Sequence, residues 1–219
     1  MKLSNCPLFY KINEQELKKL FACLRAKEVK FEQNSEICSY DSAKGVLGVV
    51  VEGEVVIKKI DFNGNSTILD QIQKNGVFSD IFAFTSTEAN FIGVYAGEPT
   101  TVIFLDYPSV FKRCKNACEY HSVFVENLLK IVIEKSKTLS QKVEILSNKT
   151  IREKVLSYAS IAVKDVGSLT FTLPMSLTSF ADYLCVDRSA LMRELKKLSN
   201  EGILKTNKRV FTVLDKEYI

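Results

Sequence analysis

Arg188, Ser189, Arg193 and Lys196 lie close together in the stretch LTSFADYLCVDRSALMRELKKLSNEGIL, Leu177 to Leu204. A planar guanidinium can bond the O6 and N7 of a guanine together, and a cation of either kind can neutralise a phosphate. At 100° per residue, Leu191, Leu195 and Leu198 gather within about 60° of one another on a helix. Ser189, Arg193 and Lys196 fall in a similar arc on the opposite side, with Arg188 in the first turn. The pattern pins one face to a core and turns a polar, cationic face outward. Bond-breaking chemistry has less to work with. There is a single histidine, His121, which argues against His-based metal sites and His-dependent triads. The six cysteines, at 6, 23, 38, 114, 118 and 185, include no CxxC pair and read as reduced thiols.

The elements that would hold the cationic face can be read from its flanks. Ser176 can cap a first helix, with Phe180, Ala181 and Leu184 facing inward. CVD breaks the periodicity, and Asp187 stands where it can cap a second helix. Two helices joined by so short a turn form a helix-turn-helix, whose second helix enters the major groove of DNA. A helix TIREKVLSYASIAVKDV (150–166) leads in, and ILKTNKRVFTVLD (203–215) follows as a hairpin. Lys205, Lys208 and Arg209 surround Asn207 near the tip of that hairpin, where they would hold phosphates. The competing reading of the face is a solvated amphipathic helix, or one that contacts an acidic protein.

The charge is distributed accordingly. Residues 1–146 hold 18 Lys+Arg and 18 Asp+Glu, whereas residues 147–219 hold 12 against 8, so the whole net charge of +4 lies in the last third. A basic terminal module on a neutral body points to an anionic partner, nucleic acid first. The first two thirds divide again. Residues 14–24 have helical spacing. VLGVVVEGEVVIKKI (46–60), STILDQIQ and PTTVIFLD (99–106) read as strands, with turns at DFNGN (61–65) and KNGVF (74–78). Short strands of this kind predict a small sandwich or barrel. From Glu119 to Ser147 no Pro or Gly interrupts a helical pattern on the order of 40 Å long. Phe124, Leu128, Ile131, Leu139 and Leu146 recur along it. Apolar residues nearly surround it near 128–133, so one stripe is expected on the β body and another on a second copy. No apolar run reaches the roughly 18 residues of a membrane span. The start lacks a signal peptide's apolar region, so the expected location is the cytoplasm, with no membrane partner.

On these residues the chain resembles the CRP/FNR family of bacterial transcription regulators. LTSFADYLCVDRSALMRELKKLSNEGIL is similar to the family's signature, with Arg188 and Arg193 at its two arginine positions. VLGVVVEGEVVIKKID, the NG pair, ILDQI and NGVF resemble its β-roll. The resemblance implies an α+β architecture: a jelly-roll, cyclic-nucleotide-binding-like β-roll over residues 1–110, a long dimerisation helix over 111–147 and a winged helix-turn-helix over 148–219. It implies a homodimer on a two-fold-symmetric double-stranded promoter site, with RNA polymerase as a further partner and no enzymatic activity. Arg188, Ser189 and Arg193 would read bases, and Ser176, Thr178 and Ser179 would touch phosphates. Lys196, Lys208 and Arg209 complete the candidate DNA contacts. The family commonly has Gly in the turn and Glu after the first arginine, where this chain has Cys185 and Ser189.

The signal is less legible. In cyclic-nucleotide members an acid holds the ribose and an Arg-Ser pair holds the phosphate. Asp80 matches the acid, but the pair falls at about Phe91-Ile92. A buried phosphate without a cation lacks its charge-assisted contact, so a cyclic nucleotide is not expected and no cofactor is identified. Phe78, Asp80, Phe82, Phe91 and Ile92 are the candidate lining of an apolar effector pocket, with plain core as the stronger alternative for the aromatics. An iron–sulfur or thiol redox sensor is a further alternative. It needs four cysteines, and the family's tight N-terminal cluster is missing. Haem would have only His121 as an imidazole ligand. A β-roll enzyme would need clustered His and carboxylates.

Overall fold

A computed structural model describes residues 3, 5–39, 46–60, 66–79, 92–106, 109–110 and 118–218. The chain forms two compact units, Met1–Val132 and Ile133–Ile219, and the division falls inside one long helix.

In the first unit, α1 (Glu14–Cys23) opens with a capping box. Asn13 accepts from the Glu16 amide at 3.0 Å, and Glu16 accepts from the Asn13 amide at 2.9 Å. Among the described residues eight strands follow: β1 (Lys27–Phe31), β2 (Glu36–Ser39), β3 (Val46–Glu52), β4 (Glu54–Ile60), β5 (Ser66–Gln73), β6 (Val77–Ser79), β7 (Ile92–Ala96) and β8 (Thr100–Asp106). They make two antiparallel four-stranded sheets, ordered β1-β8-β3-β6 and β2-β7-β4-β5. The expected β4–β5 hairpin is present, paired up to Ile60 and Ser66; its turn, 61–65, lies outside the described residues. At the second expected turn Asn75 takes φ +67°.

Side-chain alternation along the first sheet decides where the core sits. Val50, Phe78 and Val102 point to the second sheet and meet Val55, Ile57, Ile72 and Val94 there. Leu47, Val49, Ile103 and Leu105 point the other way, under α1 and the N-terminal turn Pro7–Phe9. The first sheet is thus covered on both faces. Gly48 lies beneath the Phe78 ring: a Cβ there would come within 2.2 Å of it. Gly53 at φ +83° carries the chain from β3 in one sheet to β4 in the other.

Helix α2 (Glu119–Ser147) runs 29 residues, about 43 Å at 1.5 Å per residue. Phe124, Leu128 and Ile131 pack into the first unit's core, and buried Asn127 donates to the Leu8 and Tyr10 carbonyls at 3.2 and 2.7 Å. Ile145 belongs to the second unit's core. Leu139, which the spacing groups with Phe124, is instead exposed. It lies in a separate outer row with Val125, Leu129, Val132 and Val143. These residues follow steps of four and three, with only exposed Ser136 polar among them. The lone histidine is a core residue, its Nε2 donating to the Val110 carbonyl at 3.1 Å.

The second unit continues with α3 (Ile151–Val166), β9 (Thr170–Thr172), α4 (Leu177–Tyr183), α5 (Arg188–Asn200), β10 (Leu204–Asn207) and β11 (Val210–Val213). Its sheet is ordered β10-β11-β9 and antiparallel. Phe171, Phe180, Leu184, Leu191, Leu195, Leu198 and Phe211 fill the space between helices and sheet.

Candidate nucleic-acid interface

The cationic face is set by two helix caps and a strained turn. Ser176 caps α4, accepting from the Ser179 amide at 3.1 Å, and its hydroxyl lies 2.9 Å from that of Ser179. Asp187 caps α5, accepting from the Ala190 amide at 2.9 Å. Between them the Val186 amide donates to Ala181 and the Cys185 amide to Asp182, both at 3.0 Å. This pair of bonds is a Schellman motif, with Cys185 at the left-handed position, φ +54°. The end of α5 repeats the motif with Gly202 at φ +74°; Ile203 donates to Leu198 and Gly202 to Ser199. The turn does accept a side chain, at the cost of a conformation that glycine adopts freely.

Leu191, Leu195 and Leu198 are buried, while Arg188, Ser189, Arg193 and Lys196 are exposed. Thr178 and Ser179 are exposed on the first turn of α4. On the hairpin, Lys208 and Arg209 form the two-residue turn between Asn207 and Val210, exposed with Lys205. Every candidate DNA contact therefore reaches solvent, and all stand in one compact unit.

The sequence reading missed how the acids of α5 are handled. Arg152 on α3 donates from Nε to Glu194 at 2.8 Å and from both terminal nitrogens to Glu201 at 2.7 Å. These partners are 42 and 49 residues away, so no local spacing announces them. The guanidinium holds the Glu201 carboxyl below its ordinary range, chiefly through that hydrogen bond. The clamp ties α5 and its C-cap Glu201 to α3 and holds both carboxylates on one guanidinium, away from the cationic face. Lys154, also on α3, donates to the Leu184 carbonyl at 3.1 Å and so braces the turn. At the far end of α4, Lys142 lies 5.1 Å from the Tyr183 ring centroid.

The candidate effector residues are less gathered. Phe78 is buried core, edge-on to Phe104 at 6.3 Å, and Ile92 is half-buried at the start of β7. Asp80, Phe82 and Phe91 lie outside the described residues, as does Cys114. Among the described residues no three His, Cys, Asp or Glu side chains stand together as a metal site would need. No described helix is long and apolar enough to cross a membrane.

Residues 154–219 match the Crp-like helix-turn-helix domain. The chain is 21% identical over 225 residues to the probable transcriptional regulator flp of Lacticaseibacillus casei, covering 96% of this chain and 93% of that protein. Among solved structures, CprK complexed with OCPA superposes with a TM-score of 0.66 at 17% identity, over 94% of each chain. A CooA mutant from Carboxydothermus hydrogenoformans gives 0.60 at 16% identity, over 97% of this chain and 96% of that one. The Thermus thermophilus catabolite activator protein gives 0.52 at 17%, over 94% and 93%. The matched helix-turn-helix, its outward cationic face and the regulator relative together mark a CRP/FNR-type DNA-binding transcription regulator. Residues 154–219 are thus a Crp-like helix-turn-helix domain, and the fold around it is like that of the CRP/FNR regulators.

Proposed function

We propose that the protein works as a homodimer whose two α5 helices read the half-sites of a two-fold-symmetric promoter. The observation that carries this reading is the outward face of α5, with Arg188, Ser189, Arg193 and Lys196 free of the core and the acids of α5 held on Arg152. Arg188, Ser189 and Arg193 read base edges; Ser176, Thr178, Ser179, Lys196, Lys208 and Arg209 hold the backbone. The dimer seam is the exposed row Val125, Leu129, Val132, Leu139 and Val143, whose alternating steps match a coiled-coil stripe. Regulation runs in the cytoplasm through contact with RNA polymerase. A small-molecule or thiol redox signal acts on the β-roll. That signal is not a cyclic nucleotide, because in sequence Phe91-Ile92 take the place of the Arg-Ser pair that holds the phosphate in the resembled family, and supply no cation.

Selection of the full-length protein on random duplex DNA tests the reading. The expected product is an inverted repeat with half-site centres one helical turn apart. Enrichment without any symmetric motif would overturn it.

A further inference from the structure

The outer surface of α5 holds one residue that neither charge nor hydrogen bonding accounts for. Met192 leaves 43% of its surface exposed. It is one helical turn from Arg188 on one side and from Lys196 on the other, and three residues from Ser189. Arg188, Met192 and Lys196 therefore form one row along the helix, beside a second row of Ser189 and Arg193. All five residues are exposed.

We infer that Met192 is a specificity-determining residue that recognises the 5-methyl group of a thymine. The inference rests on the proposed role of α5 as the base-reading helix. A side chain in the middle of that row loses its water when the helix enters the groove. Against phosphates or amino groups an apolar thioether would gain nothing. The major-groove edge of a base pair offers one apolar feature, the thymine methyl, and apolar side chains are what meet it. Methionine suits the contact because it is unbranched, adaptable and polarizable. Arg188 and Arg193 on either side would bond guanines, so the row predicts a half-site in which a thymine stands beside guanine. Ser189 adds a hydroxyl of low selectivity, which leaves Met192 to discriminate at its own step.

Replacing thymine by uracil in the selected operator removes the methyl and nothing else that pairs or accepts. For the full-length protein, one thymine per half-site should be sensitive, at about fourfold in affinity per methyl removed. Met192→Ala should bind the thymine operator more weakly and be indifferent to the swap. Its salt dependence should stay unchanged, because no phosphate contact is lost. Met192→Gln, which keeps the length but not the apolar tip, should behave like the alanine variant. Wild-type protein indifferent to uracil at every position would overturn the inference while leaving base reading by α5 intact. So would a Met192→Ala protein that keeps the full preference for thymine. A selection that returns no motif fails earlier, at the reading of α5 itself, and takes this inference with it.

Discussion

Leu139→Glu tests the seam on α2. Fully burying a leucine side chain contributes about 1.5–3 kcal/mol. Leu139 keeps 65% of its surface in solvent, so roughly 1–2 kcal/mol per copy is still to be gained on pairing. With two copies meeting in the proposed symmetric seam, the substitution would forfeit roughly 2–4 kcal/mol, or about 30- to 700-fold in dimer affinity. Two facing carboxylates add repulsion to that loss. Because the residue is exposed, the helix itself should persist, which circular dichroism can verify. Sedimentation equilibrium at micromolar concentration should show a dimeric wild type and a monomeric variant. The variant should lose its grip on a symmetric operator while keeping weak, salt-sensitive binding to any duplex. A variant as dimeric as wild type, or a wild type that sediments as a monomer, would refute the seam.

Three further outcomes are expected. Arg188→Ala and Arg193→Ala should each cost roughly 1–3 kcal/mol on the selected operator, with a much smaller loss on unrelated DNA; gel shifts unchanged by either would remove the base-reading assignment. Cys185→Gly should stabilise the second unit by about 1 kcal/mol in thermal unfolding, since it relieves a left-handed side chain at a Schellman position; a lower melting temperature would show that the thiol contributes packing the turn needs. Glu201 is held on Arg152 with its carboxyl depressed, so its contribution is complete above the ordinary carboxylate value of about 4.3 and is lost as pH falls through the lower folded value. The stability gap between wild type and Glu201→Gln should therefore be constant near neutrality and close only in acid. A gap that is absent at neutral pH, or indifferent to acid, would count against the clamp.

The DNA-reading head was legible because its signals are local. Ser176 and Asp187 cap helices from their own first turns, and Leu191, Leu195 and Leu198 announce a buried face by spacing alone. Arg152 was illegible for the opposite reason: its meaning lies in two carboxylates brought near by tertiary folding. Within the β-roll, strands 46–52 and 54–60 could be read as strands, but not that Gly53 divides them between two sheets. Alternation places side chains on faces and says nothing of which sheet a strand joins. Leu139 shows the limit of helical spacing on a long helix. A period near three and a half fits more than one stripe, and spacing alone does not say which stripe is left bare.

The clamp on α5 also bears on how such a regulator can change. The residues that hold the recognition helix are Leu191, Leu195, Leu198, Asp187 and the Arg152 partners. The residues that face outward form a disjoint set: Arg188, Ser189, Met192 and Arg193 are exposed and stand outside the buried core of the head. Exchanging one of them should leave the melting temperature nearly untouched. Operator preference can then drift by single substitutions with the scaffold as a fixed chassis, and promoters can follow one base at a time.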